Sequence, residues 1–153
     1  MTAVIQRVNN AKIYTDGSFN GEIGHGLYIL LGVRKDDTEE DCSLLSEKIS
    51  KLRIFSDENG KMNLSVMDTD GDIMVVSNFT LNANYSHGNR PDYFASAAPE
   101  YAERLYNLFV SLISKKAKHI TTGKFGSDMR TEMSTDGPVT IVMDSEVLKG
   151  GKK

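Results

Sequence analysis

Apolar and polar residues alternate along the first part of the chain, in the pattern of half-buried β-strands. The alternation predicts strands over residues 2 to 8, 11 to 14 and 19 to 23, separated by turn-forming Asp-Gly and Gly-rich segments. Leu27 to Val33 is instead a continuous apolar run that is interrupted only by glycine, which is typical of a strand covered on both faces. This part of the chain therefore predicts a sheet with one deeply buried strand.

Two later segments repeat apolar residues at helical spacing. One helix is predicted from about 39 to 53, behind a Thr38–Asp41 pair that resembles a capping box. The other is predicted from Pro99 to about Lys116, because proline fits a first helical turn and the segment is strongly amphipathic. Both helices carry an apolar face that must pack against other elements.

The remaining apolar segments are short and lie between turn signals. They predict strands at residues 62 to 67, 73 to 76, 120 to 122, 129 to 134 and 139 to 143. The fold class expected from this order is α+β, with a mostly antiparallel, rolled or barrel-like sheet covered by two helices. We expect one domain over residues 1 to 148 and a disordered tail over 149 to 153.

Composition places the chain among ordinary globular proteins, with 39% hydrophobic and 25% charged residues in 153. No window reaches the roughly 18 apolar residues of a membrane span, so a soluble, cytoplasmic protein without membrane contact is expected. The single cysteine, Cys42, is expected to be a buried thiol. His25, His87 and His119 lack metal-site spacing, and the sequence predicts neither a metal nor a cofactor.

The net charge of −3 gives no overall attraction to a polyanion, so an RNA-binding surface would have to gather its cations locally. Candidates are Lys115, Lys116 and Lys118, together with Lys124, Arg130 and the lysines of the 149 to 153 tail. Solvated lysines at a helix end and at a frayed terminus are the simpler explanation of the same residues.

No common catalytic constellation is present, since the chain has no GxSxG elbow, no Walker loop and no histidine near a candidate nucleophile. Ser77-Asn78-Phe79-Thr80-Leu81 is unusual because hydroxyls and an amide follow directly on a buried strand. These groups could be satisfied side chains at a strand end, or they could form a pocket for a developing oxyanion together with main-chain N–H groups. The residues alone leave both interpretations open.

Asp136-Gly137-Pro138-Val139-Thr140 is the second unusual segment, because glycine and proline stand at the start of a predicted strand. The Gly137–Pro138 bond could be an ordinary trans turn or a cis bond, and X-Pro base rates favour trans. A cis bond would turn two carbonyl oxygens the same way, which would suit a substrate ammonium group. The sequence pattern does not decide between the two.

These two segments resemble the SQxTL and NxGPxT motifs of the D-aminoacyl-tRNA deacylase family. The resemblance extends along nearly the whole chain and keeps the family's order and spacing. It includes Ile5-Gln6-Arg7-Val8, Gly21-Glu22-Ile23-Gly24, Leu30-Leu31-Gly32-Val33, Arg53-Ile54-Phe55-Ser56-Asp57, Gly60-Lys61-Met62-Asn63-Leu64 and Gly88-Asn89-Arg90-Pro91.

The resemblance implies a homodimer with its active site at the subunit interface. Gly137 and Pro138 of one subunit, in cis, would hold the α-ammonium of the substrate in the other subunit's pocket and reject L side chains. Ser77, Asn78, Phe79 and Thr80 would form the catalytic segment, with N–H groups from Phe79 and Thr80 and a positioning role for Thr80. Phe125, Gly126 and Met129 would bind the terminal adenosine, and Arg7 would support the Gly-Pro motif.

The implied activity is hydrolysis of the ester in D-aminoacyl-tRNA, and of glycyl-tRNA mischarged on alanine tRNA, with the ribose 2′-OH assisting. Asn78 replaces the usual Gln, and Thr135 replaces the usual Asn. Thr135 is shared with a trans Gly-Pro sibling that deacylates L-alanyl-threonine-tRNA, whereas Arg7 favours the D-selective branch. A non-catalytic RNA-binding dimer is the third hypothesis.

Overall fold

The computed structural model describes residues 1 to 150 of the chain. Its strands are β1 (Thr2–Thr15), β2 (Ser18–Ile23), β3 (Gly26–Gly32), β4 (Phe55–Ser56), β5 (Met62–Leu64), β6 (Asp72–Ser77), β7 (Ile120–Thr122) and β8 (Met129–Asp144). Its helices are α1 (Glu39–Ser50), α2 (Pro99–Ser114) and α3 (Ser145–Gly150), with a 3-10 helix at Phe79–Asn82. None of these helices has the length and apolar character needed to cross a bilayer.

The main sheet is built around β1, which pairs antiparallel with β2, β3 and β8. β6 joins β3 in parallel, and β7 joins β6 in parallel. Thr121 Oγ1 donates to Glu22 O at 3.0 Å and Asn20 Nδ2 donates to Thr122 O at 2.7 Å, so side chains connect β7 back to β2. The predicted α+β class with a barrel-like, mostly antiparallel sheet is therefore confirmed.

Two pairs of predicted strands are each one long strand. β1 runs through the exposed Asn9 and Asn10, where the apolar alternation lapses. β8 runs through the Gly-Pro segment by a bulge, because Gln6 pairs with Thr140 whereas Val8 pairs with Thr135. Residues 136 to 139 thus stand opposite the single residue Arg7, and the bulge pushes them out of the ladder.

The two sheet faces bury separate apolar clusters. One face of β1, β3 and β6 packs against α1 and α2, with Ile5, Ile29 and Phe109 fully buried. The opposite face closes on itself around Val8, Ile13 and Met74. β3 is buried along almost its whole length, as its continuous apolar run predicts.

Cys42 is fully buried on α1, as the sequence predicts, and its Sγ donates to Leu105 O at 3.3 Å. Burial, together with the nearby carboxylates of Asp41 and Asp37, raises the pKa of the thiol to about 12. The thiol therefore stays protonated at neutral pH and contributes to packing rather than to chemistry.

The C-terminal region differs from its prediction. Lys149 and Gly150 belong to α3, a third helix that was not predicted, and residues 151 to 153 of the proposed tail lie outside the described residues. Lys149 Nζ lies 2.8 Å from Asp41 Oδ1 and 2.9 Å from Glu146 Oε1, so the last described turn is fastened to α1. Six residues are too few for a periodic pattern to appear in the sequence.

Asp41 has a second role at the start of α1. The Thr38 N–H donates to Asp41 Oδ2 at 2.7 Å, which confirms the capping box. Burial raises the pKa of Asp41, but the contacts with Lys149, Ser145 and Thr38 outweigh it and hold the pKa well below its ordinary value. The ion pair with Asp41 likewise raises the pKa of Lys149 above its ordinary value.

We expect Asp41→Asn to lower the free energy of unfolding at pH 7 by about 2 kcal/mol, because a buried charged partner of Lys149 is lost. Since the folded-state pKa of Asp41 is depressed, its stabilisation is present above the ordinary value of 3.8 and disappears as the pH falls. Urea denaturation of both proteins at pH 7 and pH 3 measures the difference, which should shrink at pH 3. Glu146→Gln, at an exposed position of the same network, is the control and should change little. A difference of equal size at both pH values would contradict the ion-pair account.

Candidate active site

A cavity of about 540 Å³ opens where β3 and β6 end. Its walls come from the segment after β6, the start of α2 and the turn before β8. It is lined by Leu31, Val33, Ser77, Asn78, Phe79, Tyr93, Ser96, Ala97, Pro99, Ala102, Tyr106, Phe125, Gly126, Ser127 and Met129. The fold thus brings Ser77, Asn78 and Phe79 together with Phe125, Gly126 and Met129.

The segment after β6 turns at once into the 3-10 helix. Asn78 N–H still donates to Leu31 O at 2.8 Å, and the Asn78 side chain then caps the helix. Asn78 Oδ1 accepts from the Thr80 N–H at 3.2 Å and from the Thr80 hydroxyl. Phe79 occupies the first helical position, where the backbone N–H has no acceptor within a helix.

The Phe79 main chain is held from outside by residues that the sequence did not single out. Ser96 Oγ donates to Phe79 O at 3.2 Å, and Asn82 Nδ2 donates to Ser96 Oγ at 3.3 Å and to Val33 O at 3.0 Å. The Phe79 ring packs edge-on against Tyr93, with ring centroids 5.0 Å apart. Residues 82 to 92 are mostly polar in the sequence, but this composition does not identify individual contacts.

The opposite wall is apolar. Phe125 lies 5.9 Å from Tyr106 between ring centroids, and the Tyr106 hydroxyl donates to Val75 O at 2.9 Å. Burial raises the pKa of Tyr106 to about 12, so this tyrosine stays neutral. Gly126 has φ +76, which a glycine adopts readily. A Cβ atom at Gly123 would lie 2.2 Å from Met129 Sδ, so Gly123 leaves the space that the Met129 side chain fills.

The chemistry available in the cavity is limited. Among the described residues that line it there is no carboxylate, imidazole, amine or thiol. Three carboxylates elsewhere, Asp37, Asp41 and Glu146, have oxygens within 4.8 Å of one another. They contact the Met1 ammonium and Lys149 instead of facing the cavity, so their charge is already compensated. The cavity offers hydroxyls, an aromatic wall and the Phe79 N–H. The Thr80 N–H, which was expected to serve as a second donor, is engaged by Asn78 Oδ1 instead.

Gly137 and Pro138 do not line the cavity of their own chain. They are exposed at the β8 bulge, and the bond between them is cis. Arg7, only 9% exposed, supports the bulge from below: its Nε lies 2.9 Å from Asp136 Oδ2 in an ion pair, and its Nη1 donates to Ile54 O at 2.6 Å. Thr135 lies exposed just before the bulge and pairs with Val8.

The family model for D-Tyr-tRNA(Tyr) deacylase matches residues 4–144. The chain belongs to this family. A D-aminoacyl-tRNA deacylase of Thermosipho africanus (strain TCF52B) is 49% identical over 146 residues, which cover 95% of this chain and 98% of the relative. The D-aminoacyl-tRNA deacylase of Clostridium botulinum (strain 657 / Type Ba4) is 50% identical over 145 residues, covering 95% and 97% of the two chains.

Two solved structures are similar to this fold. The c-Myc DNA Unwinding Element Binding Protein has a TM-score of 0.89 at 39% sequence identity, over 94% of this chain and 98% of that one. A probable eukaryotic D-amino acid tRNA deacylase has a TM-score of 0.81 at 15% identity, over 94% and 100% of the chains, and supports the fold alone.

Proposed function

We propose that this protein hydrolyses the ester bond of D-aminoacyl-tRNA in the cytoplasm, releasing the D-amino acid and intact tRNA. We extend the proposal to glycyl-tRNA mischarged on alanine tRNA, since glycine has no side chain to reject. The proposal rests on the cavity, in a chain of the deacylase family: Ser77, Asn78 and Phe79 face an aromatic wall, and no carboxylate, imidazole, amine or thiol is among the described residues that line the cavity.

In the proposed complex the terminal adenosine lies against Phe125, Gly126 and Met129. This places its aminoacyl ester towards the Phe79 N–H, which would stabilise the oxyanion. Because no carboxylate, imidazole or amine is among the described residues that line the cavity, the ribose 2′-OH of the substrate is the group that we propose to assist the attack of water. The cavity orients the terminal adenosine and its ester and excludes bulk solvent from them.

Thr80 is proposed to position the segment and not to act as a nucleophile. Its hydroxyl donates to Asn78 Oδ1, and an amide oxygen is not a base that could activate a hydroxyl. The same contact accounts for asparagine at position 78. Its short side chain reaches back to both the N–H and the hydroxyl of Thr80, which fixes the geometry of the 3-10 helix.

Gly137 and Pro138 are proposed to complete the cavity of a second copy in a homodimer. Two observations support this: they are exposed at the tip of a bulge, and they are absent from the lining of their own cavity. The buried Arg7 contacts Asp136 and Ile54 and so holds the β8 bulge in a fixed position. Their carbonyl oxygens would hold the substrate ammonium and leave space on the D side only, so that selectivity arises by rejection.

The proposal is tested by incubating the protein with D-Tyr-tRNA, L-Tyr-tRNA and L-Ala-tRNA(Thr) under the same conditions. We expect fast release of D-tyrosine and background rates with both L-esters. Preferential hydrolysis of L-Ala-tRNA(Thr) would instead favour the sibling activity that shares Thr135. Binding of tRNA without release of any amino acid would favour the non-catalytic dimer.

Gly32→Ala is expected to lower kcat for D-aminoacyl-tRNA by about tenfold, because small displacements of a positioned group reduce rates steeply. A Cβ atom at Gly32 would lie 3.0 Å from Leu81 Cβ, 3.1 Å from Asn78 O and 3.3 Å from Asn82 Oδ1. The 3-10 helix would therefore have to move by a few tenths of an ångström. Steady-state kinetics measures the loss of kcat. Gly24→Ala is the control, because its Cβ atom would meet only Asp72 Oδ2, at an ordinary contact distance of 3.5 Å. Unchanged kcat in Gly32→Ala would contradict the role of this segment.

A further inference from the structure

A group of exposed aromatic side chains continues outward from the mouth of the cavity. Phe79 and Tyr93 form an edge-on pair in the lining, and Phe94 follows directly with 85% of its surface exposed. Tyr85, at the other end of the same loop, is 80% exposed. Among residues 1 to 150, neither Tyr85 nor Phe94 forms an aromatic pair or lies under a cation. Large exposed rings next to a binding site indicate a contact surface.

The loop that carries these rings is held by its own polar groups. Asn84 and Asp92 exchange two backbone hydrogen bonds of 2.9 Å, and Asn84 Nδ2 donates to Asp92 Oδ2 at 3.0 Å. Asn84 Oδ1 accepts from the Ser86 N–H at 3.1 Å, and Asp92 Oδ1 accepts from the Phe94 N–H at 3.2 Å. The loop closure therefore does not depend on either ring, and the Asp92 carboxylate is engaged within the loop.

Three basic residues lie near these aromatic rings or near the cavity wall. Arg90 lies in the same loop, Lys35 N–H donates to Ala95 O beside Phe94, and Lys124 precedes Phe125 of the cavity wall. Within the part of the chain that the structure describes, none of these three cations forms an ion pair. Of the cations predicted to contact RNA, Lys116, Arg130 and Lys149 are paired with acidic side chains. Lys115, Lys118 and Lys124 form no ion pair among the described residues.

We propose that Tyr85, Arg90 and Phe94, here named the rim patch, bind the unpaired nucleotides that precede the terminal adenosine at the 3′ end of tRNA. Bases stack on the two rings, and Arg90 contacts the intervening phosphates. Alternating aromatic and basic groups are the pattern by which proteins hold single-stranded nucleic acid. The inference rests on the proposed function, because the cavity must hold the terminal adenosine for the preceding nucleotides to reach this patch. The unpaired cations favour RNA over a second protein chain as the occupant.

The test compares two substrates: D-Tyr-tRNA and the 3′-D-tyrosyl ester of adenosine alone. The double variant Tyr85→Ser/Phe94→Ser should lower kcat/KM for the tRNA by about tenfold or more, since loss of one stacked base changes affinity by about five- to a hundredfold. Its kcat/KM for the adenosine ester should stay at the wild-type value. Val147→Ser, which removes a side chain that is 74% exposed on α3, is the matched control and should alter neither substrate.

Salt dependence adds a second measurement. Arg90→Gln should reduce the slope of log kcat/KM against log salt for the tRNA by about one, because one phosphate contact is lost. Equal values for wild type and variants on tRNA would overturn the rim patch. Equal losses on both substrates, or dissociation of the dimer by sedimentation, would also overturn it and identify a catalytic or subunit contact. The wild-type rates alone test the proposed function, since hydrolysis of neither substrate would refute it whatever the variants do.

Discussion

Gly137→Ala is expected to lower kcat/KM for D-aminoacyl-tRNA by about 100-fold, while the protein remains folded. Gly137 has φ +125, which L residues rarely adopt, and a Cβ atom would lie 2.8 Å from Val139 N and 3.3 Å from Arg7 Nη2. The backbone of the tip must therefore change, and with it the carbonyl oxygens proposed to hold the substrate ammonium. Steady-state kinetics with D-Tyr-tRNA measures the loss of kcat/KM, and thermal unfolding of the same variant measures its stability.

The matched control for this substitution is Gly60→Ala. Gly60 also has positive φ, +74, but a Cβ there would meet no atom within 4 Å, and it lies in the turn between β4 and β5. Backbone strain alone should cost Gly60→Ala about 1 kcal/mol of stability with full activity. If Gly137→Ala kept wild-type kinetics as well, the proposed role of the β8 bulge in the site would be wrong.

Removing the ribose 2′-OH of the terminal adenosine is expected to slow hydrolysis about 1,000-fold, since an assisting hydroxyl or base contributes about 10²- to 10⁴-fold. The physical reason is the cavity lining, in which none of the described residues carries a carboxylate, an imidazole, an amine or a thiol. A tRNA acylated chemically at the 3′-oxygen of a terminal 2′-deoxyadenosine supplies the measurement, in single-turnover conditions.

Thr80→Val is the protein-side counterpart of that experiment. It removes the hydroxyl that donates to Asn78 but keeps the backbone N–H that Asn78 also accepts from. We expect a loss of no more than about tenfold, consistent with one weakened positioning contact. Abolition of activity by Thr80→Val, together with full activity on the 2′-deoxy substrate, would assign the attack to Thr80 instead.

Much of the fold followed from the sequence because burial leaves a periodic pattern. β3, β7 and α2 lie where alternation, turn residues and the apolar stripe predicted them. The continuity of β1 and β8 could not be predicted in the same way, since Asn9, Asn10 and residues 136 to 139 interrupt the pattern while strand pairing carries on around them. α3 was missed because its attachment to α1 depends on a long-range ion pair between Lys149 and Asp41.

Resemblance to the family identified part of the candidate site, whereas local sequence patterns did not identify its supporting contacts. Resemblance identified Ser77, Asn78 and Phe79, and the fold brings them to one cavity with Phe125 and its neighbours. The contacts of Ser96 and Asn82 with that segment depend on how a loop folds back, and no local pattern encodes them. The role of Gly137, Pro138 and Arg7 remains a prediction, since it depends on the proposed contact with a second copy of the chain.

Subunit mixing determines whether the cavity of one chain works together with Gly137 and Pro138 of another chain. Phe125→Ala disrupts the cavity and Gly137→Ala disrupts the Gly-Pro segment, and each variant alone should keep only about a hundredth of wild-type activity on D-Tyr-tRNA. If the two are unfolded together and refolded, random pairing makes half of the dimers mixed, and each mixed dimer holds one intact composite site. We expect recovery of about a quarter of wild-type activity. A refolded mixture that forms dimers but keeps only the activity of its parents would contradict a shared site.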